Sequence, residues 1–428
     1  MSLAYIWLFV LLLGVGMPVV FVLLASPALS LTADGQSVFL KVLLSRLYNG
    51  IDSFPLMAVP CFILAGEAMN AGGITRSLVR FSQVLIGHVR GGLAHVNILS
   101  SILFAGLSGS AVADASALGK ILIPAMEQDG YTRRFAAAIT AASAVIGPII
   151  PPSGIMILYA FIMKVPVAAL FAAGIVPGVL VGAGLMGMTA LLASARDLPR
   201  SQKRSSLREV QKSFWVALPA LLTPILLLGG ILSGLFTPTE AAAVAATYAL
   251  IVSVVVYRTL TWRDLPGVFT RAAGQSGAIL LLVGAAVTFA WIISVSGLAA
   301  QLAAALSALN TDVVFLLFLV NLFLFVAGMF LDAGPAILIL GPLLGELFLG
   351  LGVHPVHFAV IMCVNLTVGL ATPPMGLVLF VSASVSREKI EAIAKEMLPF
   401  LLVEVAVIFL ITYIPELSLT LPRILGLL

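Results

Sequence analysis

The amino-acid sequence predicts an all-α membrane protein that crosses the bilayer several times. Of its 428 residues, 61% are hydrophobic and only 9% are charged, whereas a soluble domain carries about 25% charged residues. Long apolar runs are interrupted twice by a double proline, at residues 151–152 and 373–374. Proline removes a backbone donor and clashes with the preceding turn, so each run is predicted to be a broken helix. Broken helices in both halves of a membrane chain indicate a binding site between them.

The two halves of the chain form an internal repeat. Six residues of the first half recur 222 positions later, namely Gly106, Gly119, Gly147, Pro151, Pro152 and Gly154. Their counterparts begin at Gly328 and end at Gly376 (328 − 106 = 222). Chance explains one or two matches in a glycine-rich chain, but not a Gly, Pro-Pro and Gly string together with the upstream glycines. The pattern therefore predicts a structural repeat.

The placement of Lys and Arg indicates that this repeat is inverted in the membrane. One loop between the halves carries six basic residues, which are Arg196, Arg200, Lys203, Arg204, Arg208 and Lys212. The positive-inside rule places this loop in the cytoplasm. The segments on either side of residues 91–128 carry basic residues, whereas the corresponding segments of the second half, 298–312 and 355–356, carry none. After the double prolines the order is reversed, because more basic residues follow the second double proline than follow the first. Basic and non-basic loops therefore exchange sides between the halves.

The first half is predicted to contain a re-entrant hairpin and a broken helix, with the N-terminus in the cytoplasm. In chain order, its elements are an outward first span at 3–25, an external interfacial arm at 36–49, an inward span at 52–72, a hairpin from the cytoplasm at 91–128, an outward helix at 135–163 that is broken at 147–154, and an inward span at 167–193. Helices of about 15 residues on either side of the hairpin break at 106–110 reach only ~22 Å. That length is short of the ~30 Å hydrocarbon core, although two full spans with a tight turn are the alternative.

The second half is predicted to repeat this order with the opposite orientation and to end outside. Its elements are an outward span at 214–235, an inward span at 238–257, an internal arm at 258–271, an outward span at 274–295, a hairpin from outside at 313–350 with its break at 328–335, an inward helix at 358–384 that is broken at 369–376, and an outward span at 398–414.

Each hairpin tip that meets an unwound helix is predicted to form an ion site. Such a junction offers carbonyls, small hydroxyls and helix N-termini, which suit Na⁺ and carboxylates. The first Na⁺ site is predicted at Ser108, Gly109, Ser110, Gly147, Pro148 and Ser153. The second is predicted at Gly328, Asp332, Ala333, Asn365, Thr367, Gly369 and Thr372. Substrate contacts are predicted at Ser110, Pro151, Pro152, Ser153, Thr372, Pro373, Pro374 and Met375.

Ionisable residues inside apolar segments favour function, because a charge at that depth is costly. Asp332 is interpreted as a cation ligand or as a helix N-cap, and Asp114 has the same two interpretations. Lys120 either pairs with Asp114, attracts an anionic substrate, or snorkels. Glu67 is expected in an interfacial network, and Glu240 in the first turn of a helix capped by Thr237 or Thr239.

The sequence contains no set of residues that indicates an enzyme. Its four histidines have no closely spaced Cys or acid for a metal site, and the phosphate-binding Gly-x-x-x-x-Gly-Lys-Ser/Thr string is absent. We therefore expect no cofactor other than a coupling ion, and any uphill transport must use an ion gradient or a partner. Cys61 and Cys363 are expected to be buried thiols.

Several strings resemble the large membrane subunit of tripartite ATP-independent periplasmic (TRAP) transporters. They are Gly106-Leu107-Ser108-Gly109-Ser110 with Asp114, Leu122-Ile123-Pro124-Ala125-Met126, Gly147-Pro148 with Pro151-Pro152-Ser153, residues 236–242, residues 328–332, and Asn365-Leu366 with residues 372–376. The resemblance covers essentially the whole chain. Lys120 departs from it, because a small polar residue is expected there.

The resemblance implies an elevator-type fold of the ion-transporter superfamily and Na⁺-driven import of small organic acids across the bacterial inner membrane. It also implies two partners, a small four-helix membrane subunit and a periplasmic substrate-binding protein. Mapped onto this chain, residues 91–163 and 274–384 would form the transport domain, 1–90 and 164–273 the scaffold, and 385–428 a C-terminal span. The alternatives are a stand-alone Na⁺- or H⁺-coupled dicarboxylate symporter and a channel.

Overall fold

The computed structural model describes residues 4–200, 204–298, 301 and 312–428, and the regular structure of these residues is helical. The helices of the first half are α1 (Ala4–Gly14), α2 (Val19–Ala33), α3 (Leu40–Ile51), α4 (Ala58–Ala71), α5 (Ile74–Ile86), α6 (Gly92–Ser108), α7 (Ala111–Gln128), α8 (Arg133–Ala144), α9 (Gly154–Met163) and α10 (Val167–Ala195). The helices that follow are α11 (Leu207–Leu232), α12 (Pro238–Ile251), α13 (Leu265–Ser296), α14 (Val313–Phe330), α15 (Ala333–Gly350), α16 (Pro355–Gly369), α17 (Leu377–Ser386), α18 (Ile390–Tyr413) and α19 (Glu416–Ile424). Eight helical segments of these residues are long and apolar enough to cross a membrane, which confirms the all-α polytopic class.

The helices pack in two groups. Helices α1–α5 and α11–α13 pack mainly against one another, whereas α6–α10 and α14–α19 form the other group. The groups meet chiefly where α5 and α4 contact α6 and where α13 contacts α15. In the second group α10 packs against α6 and α18, and α18 packs against α8 and α16. The division into a scaffold and a transport domain stays a prediction.

The repeat extends to the helix boundaries. Helices α15 and α7 begin 222 residues apart (333 − 111), and so do α16 and α8 (355 − 133). After the breaks, α17 and α9 begin 223 residues apart (377 − 154). Each half therefore places a helical hairpin, a first half-helix, an irregular segment and a second half-helix in the same order.

The prediction of one outward span at residues 3–25 is wrong. The chain turns at residues 15–18, where Gly16 has φ +86° and Pro18 precedes α2, so α1 and α2 pack side by side. Tyr5 Oη lies 2.8 Å from Ser296 Oγ at the C-terminal end of α13. The N-terminal helix thus begins beside the end of α13. A cytoplasmic N-terminus and an outward span at 274–295 are therefore incompatible predictions.

The internal arm predicted at 258–271 is not a separate element. Its second half belongs to α13, a continuous helix of 32 residues, because neither proline nor a left-handed residue interrupts the chain between Pro266 and Gly297. The external arm predicted at 36–49 corresponds to a short 3₁₀ turn and α3.

Residues 74–86 form α5 in the structure, although no helix is predicted there from the sequence. Its buried residues Ile74, Leu78 and Val79 recur at helical spacing, and this face packs against α6 and α11. The periodicity was available in the sequence, but two arginines and a short length hid it among the loop residues. Helix α5 therefore connects the first hairpin to the other group of helices.

Candidate functional site

The tip of the first hairpin touches the break between α8 and α9. Gly109 lies in the tip with φ +61°, a conformation that favours glycine. A Cβ atom at this position would lie 2.7 Å from the carbonyl oxygen of Pro152 and 3.3 Å from the amide nitrogen of Gly154. The backbone of the tip and the backbone of the broken segment are therefore in direct contact, as predicted for Gly109 and the double proline.

Asp114 lies inside this junction. Its side chain is fully buried, and Ser108 Oγ donates a hydrogen bond to its Oδ1 atom. The other oxygen, Oδ2, is buried and has no hydrogen-bond partner among the described residues. The carboxyl group lies against Gly147, since a Cβ added there would be 3.1 Å from Asp114 Cγ. Asp114 thus joins predicted site residues of the hairpin and of the broken helix.

Two predicted site serines begin the helices that leave this junction. The Ser110 hydroxyl accepts a hydrogen bond from the Ala113 amide at 3.4 Å and caps α7. The Ser153 hydroxyl accepts one from the Met156 amide at 3.3 Å and caps α9. Ser153 is buried and Ser110 is exposed. The N-terminal end of α9, which favours negative charge, therefore lies at the contact with the hairpin tip.

The second hairpin meets the second broken helix at two glycines. A Cβ at Gly369 would lie 2.6 Å from Gly328 Cα, and a Cβ at Gly328 would lie 2.6 Å from the Leu366 carbonyl oxygen. Helices α14 and α16 therefore approach to backbone contact just before the break at residues 370–376. The structure brings together these two predicted site residues.

Asp332 caps the second half of this hairpin. Its Oδ1 accepts a hydrogen bond from the Ala333 amide at 2.8 Å, at the start of α15. The residue is exposed, in contrast to buried Asp114. The N-cap interpretation is thus confirmed, and a role of Asp332 as an ion ligand stays a prediction.

The polar residues of α16 and of the break that follows it bind mainly to neighbouring helices and to their own turn. Asn365 Nδ2 donates to Asn321 Oδ1 of α14 at 2.6 Å, and Thr412 of α18 donates to the same oxygen. The Thr367 and Thr372 hydroxyls donate to carbonyls four residues earlier, at 2.6 and 2.9 Å. These bonds leave the hydroxyl lone pairs and Asn365 Oδ1 available as acceptors.

The two double prolines differ in exposure. Both Pro-Pro peptide bonds are cis. Pro151 and Pro152 are buried, as is Pro148, whereas Pro374 and Met375 are exposed, the latter by 53%. The second break therefore has an open face and the first is enclosed.

The structure also shows the surroundings of Glu67, Glu240 and Lys120. Glu67 accepts hydrogen bonds from Arg271 and Gln275, both at 3.0 Å, which confirms the expected network. Glu240 and Thr237 form a reciprocal capping box at the start of α12. Lys120 is exposed and is not among the described partners of Asp114, so the proposed pairing of these two residues is wrong.

Glu404 in α18 is a buried acid that is not among the candidate residues predicted from the sequence. It is fully buried, and neither carboxyl oxygen has a hydrogen-bond partner in the described part of the chain. The signal in the sequence is a single acid in the apolar run 398–414, which is predicted to be a span.

Two helical hairpins, each in backbone contact with a broken helix of a polytopic bundle, define a membrane transport protein. The fold is similar to that of the YdaH transporter of Alcanivorax borkumensis, with a TM-score of 0.63 over 89% of this chain and 88% of that chain, at 18% identity. The chain belongs to the family of the DctM component of tripartite ATP-independent periplasmic transporters, whose model matches residues 5–417.

Curated relatives agree over nearly their whole length. The sialic acid TRAP transporter large permease protein SiaM of Vibrio cholerae is 37% identical over 96% of each chain. The 2,3-diketo-L-gulonate TRAP transporter large permease protein YiaN of Escherichia coli is 38% identical over 95% of each chain. The chain is therefore a transporter permease subunit and not an enzyme.

Proposed function

We propose that this chain imports a small organic acid across the bacterial inner membrane, driven by a Na⁺ gradient and by an elevator movement of the hairpin group. A periplasmic binding protein would deliver the substrate, and a small membrane subunit would complete the transporter; both partners follow from the family. The observation that carries the proposal is the buried, half-satisfied carboxyl group of Asp114 where the first hairpin meets the first broken helix.

A sodium ion fits the chemistry of this junction. Na⁺ is bound by oxygen, and here the carboxylate of Asp114 contacts the hydroxyl of Ser108 and lies against Gly147. Carbonyls of the irregular segment 145–153 would complete the site. A cation would also offset the cost of a buried charge that lacks a basic partner. The corresponding second site would use carbonyls near Gly328 and Gly369, the hydroxyl of Thr372 and the carboxylate of Asp332.

A carboxylate substrate fits the same architecture. Ser153 begins α9 at the first junction, and helix N-termini attract anions. The two relatives named above are reported for sialic acid and 2,3-diketo-L-gulonate, which are both acids. We therefore propose that the substrate carboxylate lies between the two proline pairs, in contact with Ser110, Ser153 and the open face at Thr372 to Met375.

Uptake by proteoliposomes tests this function. The chain is reconstituted with its small membrane subunit and its binding protein, and uptake of radiolabelled carboxylates is measured with and without an inward Na⁺ gradient. We expect saturable, Na⁺-dependent uptake that stops when the binding protein is omitted. Unchanged uptake without the binding protein would indicate a stand-alone symporter, and flux that does not saturate would indicate a channel.

The inverted orientation is tested by cysteine labelling. Ser205→Cys lies in the basic loop before α11 and should react with a membrane-impermeant maleimide only in inside-out vesicles. Leu351→Cys, in the loop after α15, should react only in right-side-out cells. The unsubstituted chain, with Cys61 and Cys363, provides the background. Reaction of both positions from the same side would contradict the inverted repeat.

A further inference from the structure

Glu404 lies on the face of α18 that packs into the hairpin group. It shares this face with a stripe of buried residues, Ile393, Met397, Phe400, Ile408 and Ile411. One turn before Glu404, the ring of Phe400 lies 5.9 Å from the ring of Phe135 in α8. Beyond it, Thr412 bonds to Asn321 and, through its carbonyl, to His357. Glu404 is therefore between the contacts of α18 with the two broken helices α8 and α16.

Within the part of the chain that the structure describes, no basic residue is placed to neutralise Glu404. The helices that pack most against α18 are α8, α10, α14, α16 and α17. Their titratable residues and those of α18 itself are Arg133, Arg134, His357, Cys363, Glu391, Lys395, Glu396 and Tyr413. Arg134 pairs with Glu396 at 3.5 Å, two turns or ~12 Å of helix away from Glu404. His357 is bonded to Ser418 and the Thr412 carbonyl.

Packing does not require an acid at this position. The repeat places α10 in the first half where α18 lies in the second, and α10 contains no ionisable residue along its 29 positions. Its residues Val181 and Gly182, which lie 223 and 222 positions before Glu404, are both buried among apolar atoms. The acid is thus a feature of one half only.

We propose that Glu404 is a proton-binding site that takes up and releases one proton during transport. A buried ionised carboxylate without partners has a much higher free energy than the neutral acid. Glu404 is therefore protonated in the conformation that the structure shows. A metal cation is disfavoured, because neither carboxyl oxygen has a polar partner among the described residues, and a cation needs several oxygen ligands. The step is the simple addition of H⁺ to the carboxylate.

The proton would be released when α18 changes its contacts. This part of the inference rests on the proposed elevator movement, since α18 packs against α10 and against both broken helices. A shift of these helices would admit water to Glu404 and favour the ionised form. Uptake would then depend on pH through Glu404, in addition to its dependence on Na⁺.

Infrared spectroscopy of the purified full chain in lipid tests the protonated state without any transport. At neutral pH and saturating Na⁺, which should keep Asp114 ionised, the wild type should show the carbonyl stretch of a protonated carboxylic acid. The difference spectrum between the wild type and Glu404→Gln should contain this band. Glu346→Gln, at an exposed glutamate of α15, should retain the band. Glu404→Asp keeps the carboxyl group and serves as a second variant in case Glu404→Gln does not fold. Identical spectra of wild type and Glu404→Gln would overturn the proposal.

Uptake at varied pH tests the cycle. In the wild type, raising the pH removes the proton, so uptake should fall by up to about tenfold for each pH unit once this step limits the rate. In Glu404→Gln the pH profile should be flat while Na⁺ dependence remains, and Glu346→Gln should follow the wild type. A wild-type pH profile in Glu404→Gln would refute the proton site. If uptake by the wild type did not depend on Na⁺, this result would instead refute the proposed function.

Discussion

Replacing Asp114 by Asn is expected to abolish Na⁺-driven uptake while the protein still folds. Asn keeps the size of the side chain and can still accept the hydrogen bond from Ser108, but it removes the negative charge beside Gly147. Breaking a buried charge pair costs about 3–5 kcal/mol, so Na⁺ affinity should fall by more than about 100-fold. Uptake as a function of Na⁺ concentration measures this loss.

The matched control for this substitution is Asp52→Asn, at an exposed aspartate that follows α3. It should leave both Na⁺ affinity and maximal uptake at the wild-type level. Thermal unfolding of both variants, monitored by size-exclusion chromatography, shows whether they fold. It therefore distinguishes a loss of Na⁺ affinity from a loss of stability. Wild-type Na⁺ affinity in Asp114→Asn would remove Asp114 from the ion site.

Replacing Gly369 by Ala is expected to separate the second hairpin from the second broken helix. The new Cβ would lie 2.6 Å from Gly328 Cα and 2.9 Å from the Phe325 carbonyl oxygen. Backbone atoms of two packed helices cannot move as a side-chain tip can. Overpacking costs about 1–3 kcal/mol, which exceeds the gain of about 1 kcal/mol in helix propensity. Lower thermal stability and strongly reduced uptake should result.

Gly154→Ala is the control for the glycine substitution. Gly154 begins α9, and no described atom lies within 4 Å of a Cβ added there, so this variant should be at least as stable as the wild type. If both alanine variants behaved alike, the contact between Gly328 and Gly369 would not hold the second hairpin in place. Stability in detergent and uptake in liposomes are measured on the same preparations.

The sequence was sufficient for the repeat and for the tips of both hairpins, because Gly and Pro act locally. The spacing of Gly109, the double prolines and Gly328 predicted where helices end, and the structure has its ends there within a few residues. The turn at residues 15–18 was signalled by Gly16 and Pro18, but the uniform apolar composition on both sides favoured one span.

The ranking of site residues could not be obtained from the sequence. Both acids lie at the start of the helix after a hairpin tip, Asp332 as the N-cap of α15 and Asp114 in the first turn of α7. Asp114 is buried, with one oxygen that has no partner among the described residues, whereas Asp332 is exposed. This difference depends on which backbone lies opposite each tip. Glu404 is similar, because its isolation follows from five neighbouring helices that come from both halves of the chain.

The length of α13 has a consequence for the bilayer around the protein. Its 32 residues extend over ~48 Å at 1.5 Å per residue, well beyond a hydrocarbon core of ~30 Å. The helix must therefore tilt or project, and its polar first turns, tied to Glu67 through Arg271 and Gln275, fix one end at the headgroup level. Because α2, α3 and α4 pack along it, a thinner membrane would incline these helices together, so lipid chain length would set their angle to the membrane normal.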